Sequence, residues 1–226
     1  MDGVSRQGVK VFTGIIQSIG RIAAIEGDQQ DIRLRIETGK LPLENVALGD
    51  SIATSGVCLT VTELPGDGYW ADVSPETLSL TTLGQKAVGA RVNLEPSLTL
   101  NTPLGGHLVS GHVDGVATVV SRTARARAVD FWLEAPAALG RYLPHKGSVT
   151  IDGISLTLNE VDGARFRLTI VPHTAQQTTL EAAQAGQQVH IEVDLLARYL
   201  EKLMQPQADT TSGLTLETLA RSGFVK

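Results

Sequence analysis

The chain has 226 residues, 42% of them hydrophobic, and a formal net charge of −5 at neutral pH. This length suits two modest domains, and the acidic balance offers no electrostatic footprint for nucleic acid. The single cysteine, Cys58, excludes an intrachain disulfide, and no stretch resembles a signal peptide or a membrane span. We therefore expect a cytoplasmic protein whose ligand is a small molecule, with no nucleic-acid or membrane partner.

The first residues are predicted to be an N-terminal extension. Residues 1–11 are mainly polar and follow neither the strand period nor the helix period, which is typical of a disordered terminus. Folded structure is expected from Phe12 onward.

The sequence contains two copies of one pattern, offset by 97 positions. The stretch GVCLTV at 56–61 returns as GISLTL at 153–158. The same offset carries residues 13–14 onto 110–111, and Glu95 onto Glu192. A period of this length is the size of a domain and too long for solenoid or propeller repeats. We predict two similar domains, at 12–107 and 108–194.

Six short strands are predicted in each copy. They are rich in β-branched residues, and residues 32–36 alternate strictly between apolar and charged side chains. Turn signals separate them, and the stretches 78–83 and 175–180 each have the length of a helical turn. Because an open sheet of six strands would expose two edges, each copy is expected to close into a small barrel. The strands predicted in the first copy are 11–16, 32–36, 51–54, 59–62, 69–73 and 91–95.

The predicted fold class is therefore all-β, two similar six-stranded antiparallel barrels, followed by a C-terminal helix and tail at 195–226. Apolar residues recur every three or four positions from Leu195 to Met204, which predicts an amphipathic helix ending before Pro206. Its apolar stripe either packs on its own barrel or associates with the same helix of other subunits. A short tail helix capped by Thr215 and stopped at Gly223 is also expected.

Cys58 and Ser155 occupy the same place in the two copies, and so do Ile15 and His112. A lone cysteine in a strand is usually a small buried hydrophobe. Its exchange for serine favours a functional role, because both side chains can donate a hydrogen bond or attack an electrophile.

Two histidines lie close together in GGHLVSGHVDG at 105–115. The flanking glycines would let a ligand approach the backbone. No metal site is expected, since a third ligand with suitable spacing is missing. His107 is interpreted as either a structural or a functional residue, and His112 as a polar group at the mouth of a barrel.

Pro75 and Pro172 each follow a predicted strand and fix the turn there. The nearby Thr77 and Thr174 can face a ligand or cap the next helix, and both uses remain open. No glycine-rich phosphate loop leads from a strand into a helix, which argues against an enzyme acting on nucleotide phosphates.

Several motifs together resemble riboflavin synthase, of the trimeric alpha-chain type. These are FTGI at 12–15, GVCLTV at 56–61, VSPETL at 73–78, the histidine stretch at 105–115 and IDGISLT at 151–157. The resemblance covers residues 12–204. It implies two Greek-key barrels and a C-terminal helix in a homotrimer, with each active site between the N-terminal barrel of one subunit and the C-terminal barrel of its neighbour.

The reaction that the resemblance implies is a dismutation of two molecules of 6,7-dimethyl-8-ribityllumazine. One molecule donates four carbons to the other, which gives riboflavin and 5-amino-6-ribitylamino-uracil in the last step of riboflavin biosynthesis. The lumazine ring is itself an electron sink, so no cofactor and no metal is expected. Lumazine synthase is a candidate pathway partner.

The resemblance also implies which residues surround each pteridine ring. One ring is expected to rest on Gly14, Ile15, Ile16, Cys58, Leu59, Thr60, Asp72, Val73, Ser74, Pro75, Glu76 and Thr77. The other is expected to rest on Gly111, His112, Val113, Lys146, Ser155, Leu156, Thr157, Thr169, Ile170, Val171, Pro172, His173 and Thr174. The extension at 1–11 would leave this site uncovered.

Catalytic roles are implied for seven residues: Phe12, Thr13, Cys58, His112, Ser155, Thr157 and Asp194. Cys58 and His112 would assist nucleophile addition and proton transfer. Ser155 and Thr157 would hydrogen-bond the ring or the attacking water, and Asp194 would orient or protonate a partner. The general base stays unassigned among them.

The alternative is a non-catalytic lumazine- or flavin-binding protein of the same fold, such as the antenna proteins of light-emitting bacteria. Those relatives lack the polar residues of the second site, whereas His112, Ser155 and Thr157 are present here. The enzyme is the favoured interpretation. A purely structural double barrel would give no reason for the paired polar positions.

Overall fold

The computed structural model describes residues 10–28, 31–205 and 221–223. Its regular structure is mainly antiparallel β-sheet, which confirms the predicted fold class. The elements are β1 (Ser18–Asp28), β2 (Asp31–Glu37), β3 (Ser51–Thr54), β4 (Val57–Thr60), β5 (Gly68–Val73), α1 (Pro75–Leu80), β6 (Arg91–Pro96), β7 (Gly115–Arg125), β8 (Ala128–Glu134), β9 (Ser148–Ile151), β10 (Ile154–Thr157), β11 (Glu160–Asp162), β12 (Arg165–Ile170), α2 (Pro172–Gln176), β13 (Gln188–Val193) and α3 (Leu195–Met204).

The first repeat forms a sheet of six strands in the order β4-β3-β6-β1-β2-β5. Since β6 returns to lie between β1 and β3, the connections cross as in a Greek key. The residues after β4 join the two edges of the sheet. Thr62 N donates to Trp70 O at 2.8 Å, and Trp70 N donates to Glu63 O at 2.9 Å. The sheet therefore closes into a barrel, and no long unpaired edge is left between β4 and β5.

The second repeat follows the same path, with the order β10-β9-β13-β7-β8-β12-β11. Its strands begin 97 residues after those of the first repeat, as Gly115 of β7 follows Ser18 of β1. The seventh strand is β11, which pairs with β12 where the first barrel has only the isolated bridge of Glu63 with Trp70.

Two local predictions were wrong. Residues 11–16 are not a strand of the first barrel, and the only strand-like pairing there is the bridge of Phe12 with Val109. The short helices begin earlier than predicted, at Pro75 and Pro172. Proline suits the first helical position because it has no N–H to satisfy there, and Ser74 caps α1 by accepting from Thr77 N at 3.2 Å.

Each barrel has its own apolar core, built by strict alternation along the strands. In β2, Ile32, Leu34 and Ile36 are buried, while Arg33 and Arg35 face outward and pair with acidic residues. Burying each such aliphatic side chain stabilises the fold by roughly 1.5–3 kcal/mol. The second core contains more aromatic residues than the first, including Phe131 and Phe166.

The two barrels meet at the tips of the hairpins β3–β4 and β9–β10. Gly56 and Gly153 both have positive φ, and a Cβ added to either would lie within 2.8 Å of a backbone nitrogen of the other. A two-residue turn of this type needs positive φ at both positions, which Ser55 and Asp152 also adopt. The repeated glycine is thus explained by turn geometry and by close backbone contact.

A pair of buried polar side chains joins the barrels on either side of these turns. Asn93 Nδ2 donates to Asp152 O at 2.9 Å and its Oδ1 accepts from Thr179 N at 2.8 Å. His190, at the same place in the second repeat, contacts Ser55 O through Nδ1 at 2.7 Å, and its Nε2 accepts from Thr82 N at 2.9 Å. Both side chains therefore present one donor and one acceptor to the opposite barrel.

The predicted C-terminal helix is confirmed as α3. The barrels belong to one compact unit that ends at Leu195, and the residues from Leu196 onward form a second. The apolar side chains of α3 are largely exposed on the chain. Pro206 and the predicted tail helix from Thr215 lie outside the described residues, apart from 221–223.

Candidate active site

The opening segment of each repeat, residues 12–16 in the first and 109–113 in the second, crosses to the other barrel. Ile16 packs against the core of the second barrel, and Val113 belongs to the core of the first. Phe12 and Val109, from the two opening segments, exchange backbone hydrogen bonds at 2.7 and 3.0 Å. The two segments thus lie side by side, and each runs towards the other repeat.

A backbone hydrogen bond holds the glycine of each opening segment against a strand of the other hairpin. Ser155 N donates to Gly14 O at 2.8 Å, and Cys58 N donates to Gly111 O at 2.9 Å. Both glycines have positive φ, and a Cβ on either would approach the Cβ of its partner to 2.6 Å. Only glycine fits these two positions, because the backbone must come this close to Cys58 or Ser155.

This arrangement differs from the predicted grouping of the site residues. The opening motif of each repeat was grouped with the strands of its own copy. In the structure, Gly14 lies against Ser155, and Gly111, followed by His112, lies against Cys58. The reason is the crossing of the two segments, which a pattern repeated in both copies does not reveal.

A cavity of about 380 Å³ lies beside Ser155, a volume within the range of small-molecule pockets. It combines residues of the first opening segment with residues of the second barrel. Ile154, Gln177 and Thr178 form part of its wall. The other six lining residues are predicted site residues: Gly14, Ile15, Ile16, Ser155, His173 and Thr174.

His107 reaches the same half of the site. Its Nδ1 lies 2.7 Å from Ser155 Oγ, and its Nε2 lies 3.1 Å from Thr150 Oγ1. Burial lowers the pKa of His107, against a smaller opposing effect of Asp194. A neutral imidazole has one donor and one acceptor nitrogen, so it can exchange a proton with the Ser155 hydroxyl. These contacts are compatible with both interpretations of His107, structural and functional.

Cys58 is half-buried on β4 in the other half of the site. Burial raises the pKa of its thiol, while the Ser51 hydroxyl and the charge of Lys10 act in the opposite direction. The thiol is therefore mainly protonated at neutral pH and can donate a proton.

A second cavity, also of about 380 Å³, lies beside Ser51 and is lined by Lys10 and Asp50 among others. Lys10 Nζ donates to Thr60 Oγ1 at 3.1 Å. The extension was expected to leave the site uncovered, but its last lysine contacts a predicted site residue. Residues 1–9 lie outside the described part of the chain.

The other predicted residues fall into three groups. The first group is apolar and supports the site from the barrel interiors. Leu156 packs against the second core, and the other members are buried: Phe12, Leu59, Val73, Val113 and Ile170. Thr13 is held by Glu95, Ser74 caps α1, and Asp72 pairs with Arg33. The remaining polar and turn residues are half-buried or exposed at the ends of the strands: Pro75, Glu76, Thr77, His112, Lys146, Thr157, Thr169, Val171, Pro172 and Asp194.

Sequence reasoning missed several neighbours of the site. Lys10 and Gln177 gave no motif signal, since neither is repeated in the other copy, and Ser51, which recurs as Ser148, lies outside the recognised motifs. Within the described residues, no group of three or more His, Cys, Asp or Glu side chains could hold a metal ion. None of the helices described has the length and apolar character that a membrane crossing requires.

Comparison with known proteins identifies the repeats. The family model of the lumazine binding domain matches residues 13–97 and again residues 110–194. Among solved structures, LumP complexed with riboflavin superposes with a TM-score of 0.73 at 26% identity, over 80% of this chain and 98% of that one. LumP complexed with 6,7-dimethyl-8-(1'-D-ribityl) lumazine gives a TM-score of 0.72 at the same identity and coverage.

Curated relatives are closer in sequence. A riboflavin synthase of Photobacterium phosphoreum is 47% identical over 218 residues, which is 95% of this chain and 100% of that protein. A riboflavin synthase of Bacillus subtilis (strain 168) is 36% identical over 216 residues, again 95% of this chain and 100% of the relative.

The fold and the two related half-sites define a lumazine-binding protein with two copies of the domain in one chain. The sequence identity to the curated relatives, and the share of each chain that is covered, then identify the family. The chain belongs to the riboflavin synthase family.

Proposed function

We propose that this chain catalyses the riboflavin synthase reaction, in which two molecules of 6,7-dimethyl-8-ribityllumazine give riboflavin and 5-amino-6-ribitylamino-uracil. The observation that carries the proposal is the pair of matching half-sites with different reactive groups. One half presents Cys58 beside Gly111, and the other presents Ser155 beside Gly14. A dismutation needs two sites for one ligand that treat its two copies differently, and this arrangement supports that requirement.

The half with Ser155 can hold either substrate molecule, the one that donates four carbons or the one that accepts them. In both cases a proton must be transferred in this half. The 7-methyl group of the lumazine is acidic because its carbanion delocalises into the ring. His107, neutral and bonded to Ser155 Oγ, supports proton transfer through this hydroxyl. Thr157 and Asp194 are proposed to hydrogen-bond the ring or the attacking water.

The half with Cys58 offers a thiol and His112 for nucleophile addition and proton transfer to the other molecule. Phe12 and Thr13 hold the crossing segments between the halves: Phe12 is fully buried, and Thr13 donates twice to Glu95. Bringing two rings into contact converts a two-body encounter into one complex, which lowers the entropic part of the barrier.

We also propose that the working form is a homotrimer in which each site joins the Cys58 half of one subunit to the Ser155 half of the next. The support is the exposed stripe on α3, where Leu196, Leu200 and Leu203 are 60%, 57% and 80% exposed on the chain. A stripe of this kind is normally covered by another protein surface. Location in the cytoplasm and association with lumazine synthase remain predictions.

Incubation of the purified protein with 6,7-dimethyl-8-ribityllumazine tests the activity. Riboflavin, which fluoresces at longer wavelength, should accumulate at one molecule for every two lumazines consumed. A binding protein related to LumP would instead retain the lumazine spectrum over many equivalents. That outcome would overturn the proposal.

Variants of Cys58 test its role more closely. Cys58→Ala should lower turnover, and Cys58→Ser, which introduces the residue found at this place in the second repeat, should retain more of it. Unchanged turnover in both Cys58→Ala and His112→Ala would remove this half-site from the mechanism.

A further inference from the structure

Two buried glutamates anchor the crossing segments, one in each repeat. Glu95 on β6 and Glu192 on β13 are each 4% exposed and occupy equivalent places in the two copies. Glu95 Oε1 accepts from both Thr13 N and Thr13 Oγ1, each at 2.7 Å. Glu192 Oε1 accepts from Ser110 N at 2.7 Å and Ser110 Oγ at 2.8 Å. The first carboxyl oxygen thus has the same partners in both repeats.

The second carboxyl oxygen differs between the two. Glu95 Oε2 accepts from Gly14 N at 2.9 Å. Glu192 Oε2 is buried and has no partner at normal hydrogen-bond geometry in the described part of the chain, although the N–H of Gly111, the counterpart of Gly14, is close enough to act on this carboxyl group. A buried carboxylate oxygen without a donor is costly, since it has lost water and gained nothing in return. Protonation of this oxygen removes the buried negative charge, which is the larger part of that cost.

The surroundings of Glu192 link it to the Cys58 half of the site. Its partner Ser110 precedes Gly111, whose carbonyl accepts from Cys58 N. Two titratable residues interact with it: Cys58 on β4, whose thiol is affected by its charge, and His112, whose backbone N–H acts on its carboxyl group. Across the sheet, Glu192 pairs with Thr150, which contacts His107. Asp194 follows directly after the end of β13.

We propose that Glu192, unlike Glu95, carries a proton under working conditions, and that it positions residues 110–112 beside Cys58 in this neutral form. If Glu192 lost this proton, a negative charge would lie next to the Cys58 thiol. Cys58 would then form the reactive thiolate less readily. Glu192 is a positioning residue, since it acts through the segment that it holds. Its role in catalysis rests on the function proposed above, whereas its protonation state does not.

The pKa values agree with this assignment. Burial raises the pKa of Glu192 to about 7, although hydrogen bonds from Ser110, Gly111 and His112 act against the rise. Burial also raises the pKa of Glu95, and the bonds from Thr13, Gly14 and Ile15 oppose it. Equivalent groups act on both carboxyls, and the geometric difference between them is that only Glu95 Oε2 has a hydrogen bond of normal length and angle.

Glutamine substitution separates the two glutamates, because an amide mimics a protonated carboxyl group. In Glu192→Gln, the amide oxygen can still accept from Ser110, and the NH₂ group meets no donor at normal hydrogen-bond geometry among the described residues. In Glu95→Gln, the NH₂ group faces Gly14 N–H, so two donors oppose each other. Glu192→Gln should therefore unfold at a denaturant concentration close to that of the wild type, while Glu95→Gln and Glu192→Ala unfold clearly earlier.

Alkylation of Cys58, the only cysteine, reports the charge of Glu192 without any need for lumazine or catalysis. Rates with iodoacetamide are measured between pH 6 and 9 in the wild type, Glu192→Gln and Glu95→Gln. In Glu192→Gln the thiolate should form at lower pH and react faster above neutrality by about threefold, which corresponds to half a pKa unit. Glu95→Gln is the matched control and should leave this profile unchanged.

Two results would overturn the proposal. One is an identical alkylation profile in Glu192→Gln and the wild type, since ionisation of Glu192 would then have no influence on Cys58. The other is equal destabilisation by the two glutamine variants, which would mean that both glutamates act as carboxylates. A protein that binds lumazine without turnover would refute the proposed function and leave both measurements valid.

Discussion

Cys58→Ala and Ser155→Ala should restore activity to each other when their subunits are mixed, whereas Cys58→Ala and His112→Ala should not. The two pairs look alike in the sequence, because each combines the first repeat with the second. In the structure, the segment that carries Gly111 and His112 contacts Cys58, so these two variants damage the same half-site. Ser155 lies in the other half, beside Gly14.

The expected recovery follows from counting junctions in a closed ring of three subunits. A junction is intact when the subunit giving the Cys58 half and the subunit giving the Ser155 half are both undamaged in that half. Random mixing of equal amounts gives mixed trimers in about three-quarters of cases and leaves about a quarter of all junctions intact. For Cys58→Ala with His112→Ala, the Cys58 half is damaged in every subunit, and no junction is repaired.

The assay is unfolding and refolding of the two variants together, followed by riboflavin formation. Each variant refolded alone gives the baseline, and mixing without subunit exchange is the control. The first pair should reach up to about a quarter of wild-type activity. Equal recovery in both pairs would refute the assignment of His112 to the Cys58 half, and no recovery in either after proven exchange would place the whole site within one subunit.

Three further predictions concern other parts of the chain. Truncation after Leu195 should give smaller particles with little activity, because burial of Leu196 and similar side chains is worth roughly 1.5–3 kcal/mol each; a trimer that persists in sedimentation would show that the barrels make the contacts. Lys10→Met removes the bond to Thr60 and should raise KM measurably, by up to about fivefold, since an exposed charged contact contributes about 1 kcal/mol or less; an unchanged KM would mean that Lys10 does not meet the substrate. His190→Asn should keep most of the stability, as Asn93 fills the same role in the other repeat, whereas His190→Leu should lose about 1–3 kcal/mol by leaving Thr82 N–H unpaired; urea unfolding compares the two, and equal midpoints would contradict this.

The pH dependence of stability gives an independent view of Glu192. Its pKa of about 7 in the folded chain lies above its ordinary value of 4.5, so the folded state binds the proton more tightly than the unfolded state. The contribution of this residue to stability is then fully present below pH 4.5 and is lost as the pH rises to about 7. Glu192→Gln should remove this part of the slope, by about 3 kcal/mol if the full shift is effective.

The repeat, the strands and the C-terminal helix could be predicted from the sequence because they depend on local patterns. Alternation of Ile32, Leu34 and Ile36 with arginines predicts a half-buried strand wherever the strand lies. The spacing of apolar residues in α3 predicts an amphipathic helix in the same way. The lumazine-binding motifs around Cys58 and Ser155 are also contiguous, so they could be recognised without any knowledge of the fold.

Only the tertiary structure decided which opening segment serves which barrel. Since residues 13–14 and 110–111 match in the two copies, their local preferences are nearly the same and favour neither barrel. The path of the chain and the close contacts of Gly14 with Ser155 and of Gly111 with Cys58 settle the choice.

The same holds for the groups that tune the site. His107 meets Ser155 across 48 positions of sequence, and Lys10 meets Thr60 across 50. Glu95 Oε2 accepts from Gly14 N, whereas Glu192 Oε2 has no partner at normal hydrogen-bond geometry among the described residues, although the two glutamates match in sequence. Such contacts depend on distances of a few tenths of an ångström between distant segments. Packing of the folded barrels sets these distances, and a sequence pattern carries no information about them.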